Sequence, residues 1–249
     1  VRSTWGVARM LDDPGLLLLS VVAQNVVLIL LTVGLFWAGV FVARRLGSKA
    51  GYGLDALGVS RPRGGALAGA GIGFLVGLGA VIGSLVIGGL SAVALEALGF
   101  SAENEAQQPL LEGLRGWVRE SPGLAIGAAF LVIVLFGPAV EEFVFRGAIF
   151  GGLYRLGGFF SRVAGGDGTS RNVDRFSFLG AALFSSAGFA ALHQSAVIAP
   201  ALFALAFVLC ALYRRTGSLL PPIVAHATFN SFTVLAIALS ALYPIPPAA

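Results

Sequence analysis

Two adjacent carboxylates, Glu141 and Glu142, sit in the apolar stretch GPAVEEFVFRGAIF, from Gly137 to Phe150. A carboxylate at the centre of a membrane helix costs roughly 2.5–3.5 kcal/mol on insertion scales, so two in succession call for a physical account. Glu142 and Arg146 are four apart with the glutamate first, the favourable order for an ion pair on one helix face. Glu141 lies about 100° around the helix from Glu142 and has no dedicated countercharge in the local sequence. The bland alternative is that both serve helix packing or sit at the membrane interface. The chain has two histidines, His193 in FAALHQSA and His226 in PPIVAHATFNSF, both inside apolar runs. His226 and Asn230 are four apart and share a face, which points a ring nitrogen and an amide at one place. Phe189 has the same spacing from His193 and can buttress its ring. A glutamate, two histidines and an asparagine on three spans can polarise water and donate to an oxyanion, a set suited to amide hydrolysis. In that chemistry Glu141 is the general base, helped by His193, while His226 and Asn230 stabilise the charge developing on the carbonyl oxygen.

These side chains need elements to carry them, and the composition says which kind. The chain has 249 residues, 57% hydrophobic and 11% charged, with mean hydropathy +0.91. That balance lies outside the range of soluble domains. A bilayer core is roughly 30 Å thick and takes about 20 apolar helical residues per crossing, so the length allows several spans and one membrane domain over 1–249. Six apolar runs can be marked: Leu16 to Ala43, Gly65 to Leu98, Gly123 to Leu156, Phe176 to Ala196, Pro200 to Tyr213 and Leu219 to Leu242. The third is long and interrupted by Gly137-Pro138, which predicts a kinked or broken helix. The fifth is short enough to be tilted or partly inserted. The expected fold is all-α and polytopic, with about six transmembrane helices around a polar cavity.

Charge sets the orientation. Arg44, Arg45, Lys49, Arg61 and Arg63 share the first connection, Arg155, Arg162, Arg171 and Arg175 the third, and Arg214 and Arg215 the fifth. The positive-inside rule places all three in the cytoplasm. The second connection, with Glu103, Glu105, Glu112 and Glu120 against Arg115 and Arg119, and the uncharged tail fit the other side. The stretch GGDGTSRNVD, from Gly165 to Asp174, reads as a flexible cytoplasmic connection. A net charge of +4 and a pI near 9.8 come from these topology signals, so no nucleic-acid partner is expected. A single Cys210 excludes an intrachain disulfide, a Cys-based zinc site and a redox pair. No removable signal peptide is expected from the opening residues. Gly65, Gly69, Gly73 and Gly77 recur every four residues, a face that lets another helix approach closely and not a phosphate-binding loop, which would need a preceding strand.

EEFVFR from Glu141, FAALH from Phe189 and HATFN from His226, with YRRTGSLLPPIVAHATFNSF from Tyr213 to Phe232, resemble the motifs of the CPBP intramembrane proteases. That group includes the CAAX prenyl endopeptidases and the bacterial Abi-type proteins. The resemblance covers about 124–232, with all three motifs in order. It implies a helical core whose cavity opens toward the cytoplasm, the four roles given above, and Glu142, Arg146 and Phe189 in support. It further implies an endopeptidase of glutamate type, with no cofactor, acting on a membrane-associated protein or peptide. A His, His, Glu set can also hold zinc with an open position, here Glu141, His193 and His226. The zincin HExxH and rhomboid GxSG signatures are absent. Two other readings remain: a non-proteolytic immunity or scaffold protein, and a proton-coupled transporter using buried Glu and His as a relay. The Ala, Gly and Arg bias points to a bacterial inner (plasma) membrane. Counting about 1.5 Å per residue from the arginines puts His193 roughly 25 Å deep and His226 about half that, a mismatch the helices must resolve.

Overall fold

Uncharged runs of Leu, Val, Ile and Phe cannot leave backbone groups unpaired in lipid, so each closes its hydrogen bonds within itself as a helix. A computed structural model describes residues 13–45, 53–101, 108–163 and 170–243, and these form helices with no strand among them. Lys49, Glu103, Glu105, residues 165–169 and the tail beyond Tyr243, all used above, lie outside the described residues. The helices are α1 (Pro14–Arg45), α2 (Ala66–Ala97), α3 (Gln108–Glu120), α4 (122–163), α5 (Arg171–Leu192), α6 (Ala199–Thr216) and α7 (Leu220–Leu242). All but α3 are long and apolar enough to cross a bilayer, so the protein is a multi-pass membrane protein. Helix α3 was not anticipated. It is amphipathic and buries Leu114 and Val118, with Leu114 packing beside Leu18 of α1, Ala129 of α4 and Val234 of α7. GGDGTSRNVD is also corrected at its end, because α5 already starts at Arg171, with the Ser170 hydroxyl accepting the N–H of Val173.

The glycine face packs as expected, with one change. A Cβ on Gly77 would stand 2.6 Å from the Ala225 carbonyl oxygen and one on Gly73 would strike the Pro221 carbonyl, while one on Gly69 would meet the Pro62 ring at 2.7 Å and the Pro221 ring at 3.3 Å, so α2 lies directly on α7. Gly65 does not belong to this face. It precedes α2 at φ +94°, with no atom near its missing side chain.

Helix α4 does not break at Gly137-Pro138. It runs on through wide, π-helical turns on both sides, Phe130–Phe136 and Phe143–Phe150, with Gly137–Glu142 as an α-helical island between them. Pro138 lacks an N–H, and its ring would strike the carbonyl four residues back; widening the turn moves that carbonyl aside. The span covers 40 residues, up to about 60 Å at about 1.5 Å per residue, against a core of roughly 30 Å. It therefore tilts or projects from the bilayer.

Register explains how the histidines meet. Helix α5 runs antiparallel to α4: Gly157 touches Ser177, the Ser185 hydroxyl donates to the Phe145 carbonyl at 2.9 Å, and the Phe145 and Phe189 rings pack edge to face at 5.3 Å. One further turn along both helices brings residue 141 level with residue 193. Helix α7 starts much later, level with Gly147, where Leu219 lies 3.7 Å from a would-be Cβ. Beyond Gly147, α4 continues for roughly 24 Å to its end. The arginines are thus not a common baseline, and unequal counts lead to one depth.

A short 3₁₀ turn, Leu54–Leu57, in the α1–α2 connection packs beneath Gly147, where only a residue without a side chain admits the Leu57 carbonyl. The same connection is tied to the α6–α7 turn. Leu219 N–H donates to Gly58 O at 3.0 Å, the Ser60 hydroxyl donates to Gly217 O at 2.7 Å, and Arg63 N–H donates to Thr216 O at 3.0 Å.

Candidate active site

The island of α4 presents its two glutamates to different surroundings. Glu142 is fully buried, as is Arg146, whose Nη1 lies 2.9 Å from Glu142 Oε1. This contact is close but not aligned as a hydrogen bond, so it acts as a charge pair. The guanidinium stands over the Phe189 ring, 4.7 Å from its centre, which adds a cation–π contact in a dry site.

The same Glu142 oxygen accepts from His226 Nδ1 at 2.9 Å. A carboxylate can only accept, so Nδ1 carries a proton and Nε2 faces away from Glu142. It faces Glu141, whose Oε2 is 3.8 Å from Nε2. Glu141 keeps 24% of its side-chain surface exposed, whereas His226 keeps 3%. A gap of 3.8 Å exceeds a direct hydrogen bond and suits a shared water. The sequence pairing of Glu142 with Arg146 holds, but the bond from Glu142 to His226 had no local sequence signal, since 84 residues separate the two.

His193 caps the C-terminus of α5. Its Nδ1 lies 3.0 Å from the Phe189 carbonyl and donates to it, which leaves Nε2 as an acceptor. The His193 ring is 4.9 Å and the His226 ring 5.6 Å from the Phe189 ring, centre to centre. The two imidazoles therefore flank Phe189, no farther apart than the sum of these separations, about 10.5 Å. Phe189 is 1% exposed and does more than buttress His193: it is the apolar hub touched by both histidines and Arg146.

Asn230 shares its α7 face with His226, as the spacing predicts. Its Nδ2 donates to the Ile133 carbonyl at 2.9 Å, a backbone contact with no counterpart in the sequence reading. One amide N–H remains beyond that bond. Among the described residues, no group of three or more His, Cys, Asp or Glu side chains is arranged to hold a metal ion.

A family model described as "Rce1-like: Type II CAAX prenyl endopeptidase Rce1-like" matches residues 123–232. The candidate membrane peptidase YdiL of Bacillus subtilis (strain 168) is 28% identical over 137 residues, which is 55% of this chain and 45% of that protein. The chain thus spans less than half the length of that relative. No solved structure matches. Together with the motifs, the family match and the relative support the CPBP family for this chain, through its Rce1-like segment 123–232.

Proposed function

We propose that the chain is an intramembrane endopeptidase of glutamate type that hydrolyses a peptide bond in a membrane-associated protein or peptide. The observation that carries this reading is the Glu141–His226–Glu142 sequence: an accessible carboxylate, an imidazole 3.8 Å away, and a buried carboxylate holding the far side of that imidazole at 2.9 Å. The family described as type II CAAX prenyl endopeptidases and the peptidase named for the relative point to the same chemistry.

Glu141 removes a proton from water, with His193 Nε2 as a second acceptor, and the oxygen adds to the scissile carbonyl carbon. The carbonyl π pair moves onto oxygen, where the second amide N–H of Asn230 and the Nε2–H of His226 donate to it. With Nδ1–H committed to Glu142, His226 donates from Nε2 only as the imidazolium; Glu142 is already matched by Arg146, so this second positive charge is balanced by the Glu141 carboxylate before proton transfer and by the oxyanion after it. Collapse of the tetrahedral species breaks the C–N bond, and Glu141 returns its proton to the leaving amine. Protons balance without a metal. The protein would work in a bacterial inner membrane on a lipidated protein or a membrane peptide.

Mass spectrometry of membrane peptides from cells carrying wild type or Glu141→Gln tests this. Shortened peptides present only with wild type are expected and also identify the cut site. Identical peptide sets count against hydrolysis; pH-dependent flux altered by the same substitution would favour a transporter, and a phenotype kept by both forms a scaffold.

A further inference from the structure

The contact between Asn230 and Ile133 has a cause in the wide turn of α4. In that turn each N–H reaches the carbonyl five residues back, and Gly137 N–H donates to Val132 O in this way. The next donor in the series is residue 138 and its acceptor is the carbonyl of Ile133. Residue 138 is proline, which has no N–H. The Ile133 carbonyl would be stranded in an apolar, half-buried position, where an unpaired backbone oxygen is costly. Asn230 Nδ2 occupies its place at 2.9 Å, across 97 residues of sequence.

This contact spans two helices at the level of the site. Pro138 is three residues before Glu141, and Asn230 is four residues after His226 on the same face. The bond therefore ties the α4 turn that leads into Glu141 to the α7 face that carries the imidazole. We propose that Asn230 is a positioning residue: its amide N–H replaces the donor that Pro138 lacks and so fixes the Glu141-bearing turn of α4 against α7. This role rests on the reading of Glu141 and His226 as the reacting pair, and it is separate from any N–H that Asn230 offers to substrate.

Proline is the cause of the stranded carbonyl, so removing proline should make Asn230 dispensable for structure. In Pro138→Ala the new N–H reaches Ile133 O if the wide turn persists. If the turn tightens to α-helical spacing, Gly137 N–H reaches it instead. Either way the Ile133 carbonyl gains a backbone donor. The test is a double-substitution cycle on purified full-length protein in detergent, read as thermal unfolding, with wild type, Asn230→Ala, Pro138→Ala and the double variant. Asn230→Ala is expected to lower Tm by about 2–4 °C when proline is present and by less than half as much in the Pro138→Ala background. Equal losses in both backgrounds overturn the proposal. If Asn230→Ala alone does not yield folded protein, recovery of folded protein in the double variant supports the role, and failure to recover overturns it.

Cleavage of a prenylated CAAX peptide by the same four proteins separates positioning from direct donation. A positioning role predicts that the double variant regains about tenfold or more in kcat over Asn230→Ala; no regain alongside a coupled Tm cycle confines the contact to stability and overturns the catalytic part of the proposal. Should none of the four cleave any peptide, the protease reading fails while the Tm cycle still decides the contact.

Discussion

Glu142 receives His226 and Arg146 on one carboxylate oxygen, both at 2.9 Å, in a site where neither acid nor guanidinium reaches solvent. One buried anion therefore orients the imidazole on α7 and neutralises the guanidinium on its own helix. Removing Arg146 takes away the guanidinium that matches this buried carboxylate, a far larger penalty than loss of a surface pair.

Arg146→Ala should accordingly destabilise the protein by about 3–5 kcal/mol. Thermal unfolding in detergent measures it. Arg146→Ala combined with Glu142→Gln should recover part of the loss, since the stranded charge is gone. No difference between the single and double variants would refute the charge-pair account.

By contrast, the pair between Arg214 and Asp174 lies about one-third exposed, on the α5–α6 side of the bundle near Tyr154. Pairs in such surroundings contribute about 0–1 kcal/mol. Asp174→Asn should shift Tm by no more than a couple of degrees, and a loss matching that of Arg146→Ala would show that exposure is a poor guide here.

Chemistry and folding should come apart at Glu141 and His193. Glu141→Gln should eliminate detectable cleavage, and His193→Ala should reduce it by about 10²–10⁴-fold, the range typical of positioned acid–base groups. Both variants should insert and melt like wild type. Cleavage at the normal rate in either contradicts the assigned role. A strong chelator should leave wild-type cleavage unchanged; loss that added zinc restores would instead favour zinc held by Glu141, His193 and His226.

The α2–α7 contact gives a prediction independent of function. Gly77→Leu should prevent normal assembly, because even a Cβ there would stand 2.6 Å from the Ala225 oxygen. Gly79→Leu, two residues away with nothing within 4 Å, should express and melt normally. Equal behaviour of the two would disprove the packing.

Side chains four apart on one helix were legible from sequence: Glu142 with Arg146, Phe189 with His193, and the Gly69, Gly73 and Gly77 face all follow from helical geometry. Bonds between helices were not. The link from His226 to Glu142 depends on where α7 begins relative to α4, which Gly147 and Leu219 determine in three dimensions. Counting from the arginines misjudged depth because α5 begins alongside the far end of α4, where Gly157 meets Ser177, whereas α7 begins alongside Gly147. The proline that suggested a break carried more information than a break. A missing N–H implies a carbonyl in need of a donor, and nothing in the sequence named Asn230 as the residue that supplies it.

The fastening of Ser60 to Gly217 joins positions 157 residues apart. Ribosomes add about 5–20 residues per second, so the α1–α2 connection waits roughly 8–30 s for its partner turn to be made. The first two spans must therefore enter the bilayer without that clip, and a nascent chain halted before Thr216 would never acquire it.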